Sequence, residues 1–194
     1  MKRIKSIRDL ELEERTVLMR LDLNCPVQDG VVSSDARIRA ALPTIQYALD
    51  NGARLALASH LGRPKGKAEP RFSLEPVGAR LSELLGRDII LLDDCVGDGV
   101  RELTRNLRSG DLILLENLRF HKGETQNSPH FARNLASPFE IFVNDAFGAC
   151  HREHASVVGV LPYVEEAAAG FLIEKEVQGL GHLLENPQKP FVAI

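Results

Sequence analysis

Four short apolar runs in this sequence each end in polar and charged residues, and this repeated layout constrains the fold more than any other feature. They read VLMRLDLN at 17–24, LALASHLGR at 55–63, LILLENLR at 112–119 and IFVNDAFGACHREH at 141–154. Apolar runs of this length, bounded by polar corners, are typical of buried parallel strands. Because ligands bind at the carboxyl ends of strands in open α/β sheets, the layout predicts one polar site built from four strand ends.

Helical segments alternate with the strand-like runs, a pattern typical of α/β proteins with a parallel sheet. We therefore predict a three-layer α/β/α, Rossmann-like domain whose mainly parallel central sheet has about six strands. The strands are expected at residues 16–21, 55–59, 89–92, 112–115, 141–143 and, as a candidate sixth strand, 157–160.

Helices are predicted from apolar residues at helical spacing and from the residues that flank them. Proline fits best near the first turn of a helix, so we expect an irregular turn over 35–41 and a regular helix from Leu42 or Pro43 to Asn51. Further helices are expected at residues 74–85, 100–107, 130–136, 165–170 and 171–184, followed by a last strand at 189–194.

The bulk composition excludes several classes of protein. The net charge of -3 argues against a general nucleic-acid-binding surface, so any anion site must be local. Cys25, Cys95 and Cys150 are odd in number and far apart, which fits a reducing compartment better than a disulfide framework. No run approaches the ~18 apolar residues of a membrane span, and the N-terminal residues lack the apolar segment of a secretion signal. We therefore expect a cytoplasmic protein.

Arginine and histidine side chains cluster near the polar corners, and arginine forms paired hydrogen bonds with carboxylates and phosphates. A small anion with several charges would need several such groups. Arg20 and Asp22 lie two residues apart on one strand face, so an internal ion pair between them is an equally good interpretation. Arg39 is expected at the surface. The candidate side chains are Arg20, Arg37, Arg39, Arg63, Arg119, Arg152, His60, His121, His151 and His154.

Three familiar motifs are incomplete in this chain. The loop from Gly62 to Lys67 is one residue short of a Walker-type phosphate loop, and Ala68 replaces its Ser or Thr. The segment 97–99 lacks the third glycine of a dinucleotide fingerprint. The cluster from Cys150 to His154 lacks the second pair of ligands that a closed zinc site needs. We therefore predict no nucleotide loop and no metal site.

Six further segments are informative as whole motifs. They read RLDLNCP at 20–26, DARIRAALPTI at 35–45, SHLGRP at 59–64, SLEPV at 73–77, LLENLRFHKGE at 114–124 and VNDAFGACHREHAS at 143–156. Together they resemble the signature segments of the phosphoglycerate kinase family. The resemblance runs in order from about residue 5 to the end of the chain.

The resemblance implies a glycolytic phosphotransferase that moves a phosphoryl group reversibly between 1,3-bisphosphoglycerate and ADP, giving 3-phosphoglycerate and ATP. By the match, Asp22 and Asn24 would hold the hydroxyl and carboxyl end of the substrate. Arg37 would be the catalytic residue that stabilises the charge of the transferred phosphoryl group. The 3-phosphate would be held by His60, Arg63, Arg119 and Arg152, and the substrate-binding set is completed by Leu23, Leu61 and Gly62.

The resemblance also implies two lobes joined by a helix. Residues 1–172 would form the N-terminal substrate-binding lobe, residues 173–186 the interdomain helix, and residues 187–194 the beginning of the C-terminal nucleotide-binding lobe. Family chains are about twice as long, so Mg-ATP or Mg-ADP is expected to bind the other lobe, and this chain alone is expected to be inactive. No cofactor, metal, nucleic acid or membrane is expected to bind here, and full-length family enzymes are usually monomeric.

Two departures from the family pattern stand in or beside the site. Cys25 replaces a small aliphatic residue, and Glu153 lies next to Arg152, where it could compete with phosphate. Two other functions therefore stay open on the sequence: a non-catalytic module that binds another phosphorylated metabolite, and a structural fragment whose site is empty. Ligand selectivity separates the kinase lobe from the first of these, and binding of any kind excludes the second.

Overall fold

A sheet of six parallel strands forms the centre of the protein in a computed structural model, which describes residues 4–185. With the two strands of a separate hairpin included, the strands are numbered along the chain as β1 (Thr16–Arg20), β2 (Val27–Gln28), β3 (Val31–Val32), β4 (Arg54–Ala58), β5 (Ile90–Leu91), β6 (Leu112–Leu114), β7 (Ile141–Asn144) and β8 (Glu166–Ala169). The order across the sheet is β5-β6-β4-β1-β7-β8, while β2 and β3 pair in a separate antiparallel hairpin.

Helices cover both faces of the sheet and complete three layers. Numbered along the chain, they are α1 (Ala36–Asp50), α2 (Glu75–Leu85), α3 (Asp98–Asn106), α4 (Lys122–Thr125), α5 (Pro129–Ala136) and α6 (Phe171–Glu185). The predicted three-layer α/β/α, Rossmann-like class is confirmed. Within the described part of the chain, no helix is long and apolar enough to cross a lipid bilayer.

Alternate residues of the strands divide the core into two apolar layers. Met19 of β1 packs in the same layer as Ile45 of α1, whereas its neighbour Leu18 packs with Phe131 and Leu135 of α5. Successive side chains of a strand point to opposite faces, so a strand that is apolar throughout can bury both of its faces. This explains why β1, whose five residues are all buried, reads as an apolar run without alternation.

The four strands marked by the sequence motifs are neighbours at the centre of the sheet, in the order β6-β4-β1-β7. Their registers are level, because Arg20 at the end of β1 lies opposite Ala58 on one side and Asn144 on the other. The polar corners that follow these strands therefore meet at one edge. The prediction that the strand ends come together is confirmed.

Helix α1 begins earlier than the sequence predicts. It is regular from Ala36 to Asp50, with Pro43 in its interior, and the predicted irregular turn over 35–41 is wrong. A proline has no N–H to donate, so the carbonyl of Arg39, four residues before Pro43, loses its helical hydrogen bond. Pro43 and Arg39 are both exposed, so water can satisfy that carbonyl. Burial of Ile38, Ala41 and Ile45 against the sheet offsets the loss.

Two short segments near the end of the described chain differ from prediction. Residues 157–160 are not a strand, since Ala155–Gly159 forms a wide helical turn. The alanine-rich segment expected to be helical is instead β8, which pairs along β7 and leads directly into α6. The free edge of β7 offers backbone hydrogen bonds that alanine's helix preference does not outweigh. The strand predicted at 189–194 lies outside the described residues.

The carboxylate of Asp145 ties α6 to the carboxyl edge of the sheet. Its Oδ1 accepts hydrogen bonds from the backbone N–H groups of Leu172, at 2.8 Å, and Ile173, at 3.2 Å. Its Oδ2 accepts from the Thr44 hydroxyl of α1. A side chain at Gly170 would collide with it, because an added Cβ would lie 2.4 Å from Asp145 Cγ. The first turn of α6 is thus capped from a neighbouring strand end.

Replacing Asp145 with alanine removes this cap, so we expect Asp145→Ala to lower the free energy of unfolding by ~1–2 kcal/mol. Urea unfolding followed by circular dichroism measures the change. Asp50→Ala is the matched control, because within residues 4–185 Asp50 accepts a side-chain hydrogen bond only from the exposed Gln46, so its loss should change stability little. Equal stability losses in the two variants would contradict the capping role.

Candidate anion-binding site

The side chain of Arg20 lies buried where β1 ends, only 1% exposed. Its Nε donates to Ser156 Oγ at 2.9 Å, its Nη2 lies 3.0 Å from Nδ1 of His60, and its Nη1 donates to the carbonyl of Leu21. Burying a charged group is costly unless it is hydrogen-bonded and paired. These contacts replace the alternative Arg20–Asp22 ion pair, since Asp22 pairs with Arg37 instead.

The imidazole of His60 is held neutral beside Arg20. Burial, followed by the charges of Arg20 and Arg119, lowers the pKa of His60 to about 2. Because the guanidinium of Arg20 can only donate, Nδ1 of His60 accepts the hydrogen bond. The ring proton is therefore on Nε2, which makes that nitrogen a neutral donor at physiological pH.

A second buried charge, the carboxylate of Glu124, balances Arg20. It accepts from the backbone N–H of Ser156 at 2.9 Å and from its hydroxyl at 2.7 Å, and lies 3.5 Å from Nδ1 of His154. Burial alone would raise the pKa of Glu124, but pairing with His154, the charge of Arg20 and the bonds from Ser156 outweigh it and hold the pKa below its usual value. We call Arg20, His60, Glu124 and Ser156 the buried cluster.

The loop after β4 is fastened to the turn after β6. Nη1 of Arg119 donates to the carbonyl of Gly62 at 2.8 Å, and the N–H of Gly66 donates to the carbonyl of Arg119 at 3.1 Å. Gly66 has φ +78°, and an added Cβ would lie 2.1 Å from Lys122 Cγ, so only glycine fits this approach. These contacts bring the loop after Arg63 against the residues that follow Arg119.

A cleft of about 620 Å³ opens beside the buried cluster and is lined mainly by cationic and polar side chains. The lining residues are Arg63, Lys65, Gly66, Arg119, Lys122, Thr125, Gln126, Arg152 and His154. No carboxylate is among them. Within residues 4–185, Arg63 and Arg152 form no ion pair with a carboxylate, so the neighbouring Glu153 does not compete for Arg152.

Like charges crowd around Arg119. The residue is 8% exposed, and its Nε has no hydrogen-bond partner among the residues that the structure describes. Burial lowers the pKa of the Arg119 guanidinium, and the nearby positive charges of Arg152, Arg20 and Arg63 act in the same direction. Unrelieved repulsion between buried or half-buried cations is unfavourable. An anion in the cleft would remove that cost.

Residues after β1 extend the polar edge beyond the cleft. Oδ1 of Asn24 accepts from the backbone N–H of Gly62 at 2.9 Å, so Asn24 touches the same loop as Arg119. Asp22 pairs with Arg37, which lies in the first turn of α1 and has a side chain 52% exposed. Arg37 is therefore close to β1 while its guanidinium remains accessible to a ligand.

The ten residues of the substrate-binding set implied by the family resemblance differ in how they relate to the cleft. Arg63, Arg119 and Arg152 line the cleft, and Asp22, Asn24 and Arg37 lie beside one another at the adjacent strand end. The remaining four do not line the cleft and contribute through the buried cluster or through backbone hydrogen bonds. His60 is in the buried cluster, Leu23 bonds Ser59 through its N–H, Leu61 bonds Asn117 through its carbonyl, and Gly62 bonds both Asn24 and Arg119.

Several residues of the site were absent from the predicted set. Lys65 and Lys122 line the cleft, although each follows a predicted arginine by two or three positions in the sequence. Glu124 and Ser156 are buried beneath it. The lysines could have been found from the charge of their motifs. Nothing in the sequence distinguishes Glu124 from a surface glutamate, because its burial depends on α4 packing against the turn at 155–159.

A cluster of cations at the carboxyl edge of a parallel sheet marks an α/β protein whose cleft suits a small, multiply charged anion. Comparisons with known proteins show its family. The family model for phosphoglycerate kinase matches residues 7–194. The phosphoglycerate kinase of Anaeromyxobacter dehalogenans strain 2CP-1 is 56% identical over 194 residues, covering 98% of this chain and 49% of that protein. The corresponding protein of Akkermansia muciniphila is 52% identical over 189 residues, covering 97% and 47%.

Solved structures give the same result. Phosphoglycerate kinase from Coxiella burnetii superposes with a TM-score of 0.86 at 43% identity, covering 97% of this chain and 47% of that one. The enzyme from Pyrococcus horikoshii has a TM-score of 0.87 at 34% identity, covering 96% and 47%. This chain belongs to the phosphoglycerate kinase family. It spans about half the length of the curated relatives it matches.

Removing the charge of Glu124 would leave Arg20 buried without its carboxylate, so we expect Glu124→Gln to lower the free energy of unfolding by ~3 kcal/mol at pH 7. Because the folded pKa of Glu124 is depressed, its contribution is present above the unfolded pKa of ~4.3 and is lost as the pH falls through the folded value. The difference from the wild type should therefore shrink below about pH 4.

Urea unfolding of both proteins at pH 7 and in acid measures this difference. Glu83→Gln is the matched control, because Glu83 is an exposed partner of Arg80 and should change stability little at either pH. A Glu124→Gln protein as stable as the wild type at pH 7 would show that the buried carboxylate does not stabilise Arg20.

Proposed function

We propose that this chain supplies the 3-phosphoglycerate-binding half of a phosphoglycerate kinase, which transfers a phosphoryl group reversibly between 1,3-bisphosphoglycerate and ADP. The observation that carries the proposal is the carboxylate-free cationic cleft at the centre of the sheet's carboxyl edge. Family membership makes a phosphorylated three-carbon acid the natural ligand. Both ends of such an acid are anionic, and cations are available on both parts of this edge.

The phosphate end of the substrate is assigned to the cleft. Arg63 and Arg152 are exposed and without carboxylate partners within the described residues, so they can turn toward phosphate oxygens. Arg119 is fixed by the bond from its Nη1 to the carbonyl of Gly62, and its side chain lines the cleft. His60, neutral and bonded to Arg20 through Nδ1, can donate from Nε2 without adding a charge. Charge-assisted pairs of this kind are the strong ones.

The carboxyl end and the hydroxyl are assigned to the residues after β1. Asp22 and Asn24 offer an acceptor and an amide next to the loop at Gly62. Arg37 is the catalytic residue of the proposal. Its pair with Asp22 holds it near the strand end, and its accessible guanidinium can stabilise charge on the transferred phosphoryl group. Phosphoryl transfer depends mainly on such positioning and charge stabilisation.

The second substrate, Mg-ATP or Mg-ADP, belongs in this proposal to the other lobe of a full-length family enzyme. Residues 1–172 then form the substrate-binding lobe, and residues 173–186 form the connecting helix, which corresponds to the later part of α6. The beginning of the second lobe at 187–194 lies outside the described residues. A cytoplasmic, monomeric enzyme of glycolysis completes the proposal, and the three free cysteines fit a reducing compartment.

Calorimetric titration with 3-phosphoglycerate tests the assignment, with 2-phosphoglycerate and inorganic phosphate as competing ligands. We expect selective binding of 3-phosphoglycerate. Arg63→Ala should weaken it by ~2 kcal/mol, about 30-fold, through the loss of a charged hydrogen bond to phosphate. Arg37→Ala should weaken it less, because this product lacks the transferred phosphoryl group.

Arg105→Ala serves as the control, since Arg105 is an exposed arginine of α3 outside the cleft and its loss should leave binding unchanged. Equal affinity for the three ligands would favour a general phosphometabolite-binding module. An affinity that falls as much in Arg105→Ala as in Arg63→Ala would place the anion elsewhere on the protein.

A further inference from the structure

Three side chains of different chemistry meet at the carboxyl end of β5, beside the anion cleft. They are Asp94, Cys95 and His121, and one ligand atom of each lies within 4.8 Å of the other two. Among residues 4–185 they form the one group of three such side chains at this spacing. A carboxylate oxygen, a thiol sulfur and an imidazole nitrogen are the ligand types that Zn²⁺ takes in proteins. None of them has a part in the proposed kinase function.

We propose that Asp94, Cys95 and His121 form a binding site for a divalent transition-metal ion that accepts thiolate, with Zn²⁺ as the first choice. Three protein ligands leave a fourth tetrahedral position open to water, the arrangement of an accessible zinc site rather than a closed structural one. Thiolate selects against Mg²⁺ and Ca²⁺, which prefer oxygen ligands.

The spacing of the ligand atoms is close to what a tetrahedral ion needs. Zinc bonds of ~2.0–2.3 Å separate ligand atoms by roughly 3.3–3.6 Å at the tetrahedral angle. Nε2 of His121 lies 2.6 Å from Oδ1 of Asp94, where a proton now joins the two atoms. Replacing that proton with the ion requires the pair to open by less than about 1 Å. The sulfur lies within 4.8 Å of both and needs to approach by at most about 1.3 Å to reach a sulfur–ligand separation of ~3.5 Å.

The surroundings hold the ligands and admit the ion. Oδ1 of Asp94 accepts the backbone N–H of Cys95 at 2.6 Å, which fixes the carboxylate over the thiol. The ring of His121 stacks on Phe131, with centroids 5.2 Å apart. Cys95 is buried, but the side chains of His121 and Asp94 are 32% and 49% exposed, so the ion can enter from solvent. Neighbouring contacts of this kind orient metal ligands and strengthen binding.

Binding is balanced in protons. The thiol of Cys95 releases its proton to water and coordinates as thiolate. The proton that joins His121 to Asp94 leaves Nε2 to solvent, and the neutral imidazole then binds the ion through Nε2 with its single proton on Nδ1. The site adjoins the anion cleft, because Lys122 directly follows His121 and Arg119 lies two residues before it. An ion held by His121 therefore restrains the segment that carries two of the cleft's cations.

Cobalt and zinc titrations of the chelator-treated chain, in buffer without phosphate, test the proposal. We expect Co²⁺ to bind one per chain with a near-ultraviolet thiolate-to-cobalt charge-transfer band. Cys95→Ser should abolish that band. Cys95→Ser and the surface variant His121→Gln should each weaken Zn²⁺ binding, measured by calorimetry, at least ~10-fold. The two variants are independent tests, so a folding defect in Cys95→Ser would leave His121→Gln decisive.

Cys25→Ser and Cys150→Ser are the matched controls, since one removes another buried thiol and the other an exposed thiol next to His151. Both should keep the band and the wild-type affinity. A wild-type protein without a charge-transfer band would overturn the proposal. So would loss of the band in Cys150→Ser, which would move the ion to the Cys150 segment, or unchanged zinc affinity in His121→Gln.

Discussion

Burial of the Arg20 guanidinium at the end of β1 is the interaction on which the rest of the site depends. A charge in the middle of an α/β core is tolerable only if every donor is satisfied and an opposite charge is near. Ser156, His60 and Glu124 meet that need from three different segments of the chain. The same contacts draw the ends of β1 and β4 and the turn at 155–159 into fixed relative positions. The cleft opens to solvent beside this buried cluster.

Unlike the buried Arg20, which is paired with an opposite charge, the arginines of the cleft repel one another. Arg63 and Arg152 are exposed and without carboxylate partners in the described part of the chain, and Arg119 is crowded by their charge. Such repulsion lowers the stability of the empty protein and is relieved by an anion, so part of the folding free energy is exchanged for affinity. Neutral His60 completes this arrangement, since a further positive charge there would add repulsion without adding a better donor. Asp22 and Arg37 form a separate, more accessible pair.

The sequence predicted the parts of the fold that are written in local patterns. The four central strands, their polar corners and the helices that cover them follow from apolar periodicity, which reports burial on one face or two. The errors fall where a neighbour decides the conformation. The alanines of β8 prefer a helix in isolation and become a strand because β7 presents an unpaired edge. Pro43 stays inside α1 because burial of the opposite face of the helix outweighs one lost hydrogen bond.

For the site, the sequence by itself determined which side chains stand at the strand ends, because a parallel sheet brings all of its carboxyl ends to one edge. It therefore predicted Arg63, Arg119 and Arg152 at this edge among ten arginine and histidine side chains, and the family resemblance singled them out as phosphate ligands. Only the tertiary structure decided that His60 is a buried neutral donor, that Asp22 pairs with Arg37 rather than Arg20, and that Glu124 is a counter-charge. Those choices depend on which charges lose contact with water. Desolvation is a property of the packed molecule, and no stretch of sequence carries it alone.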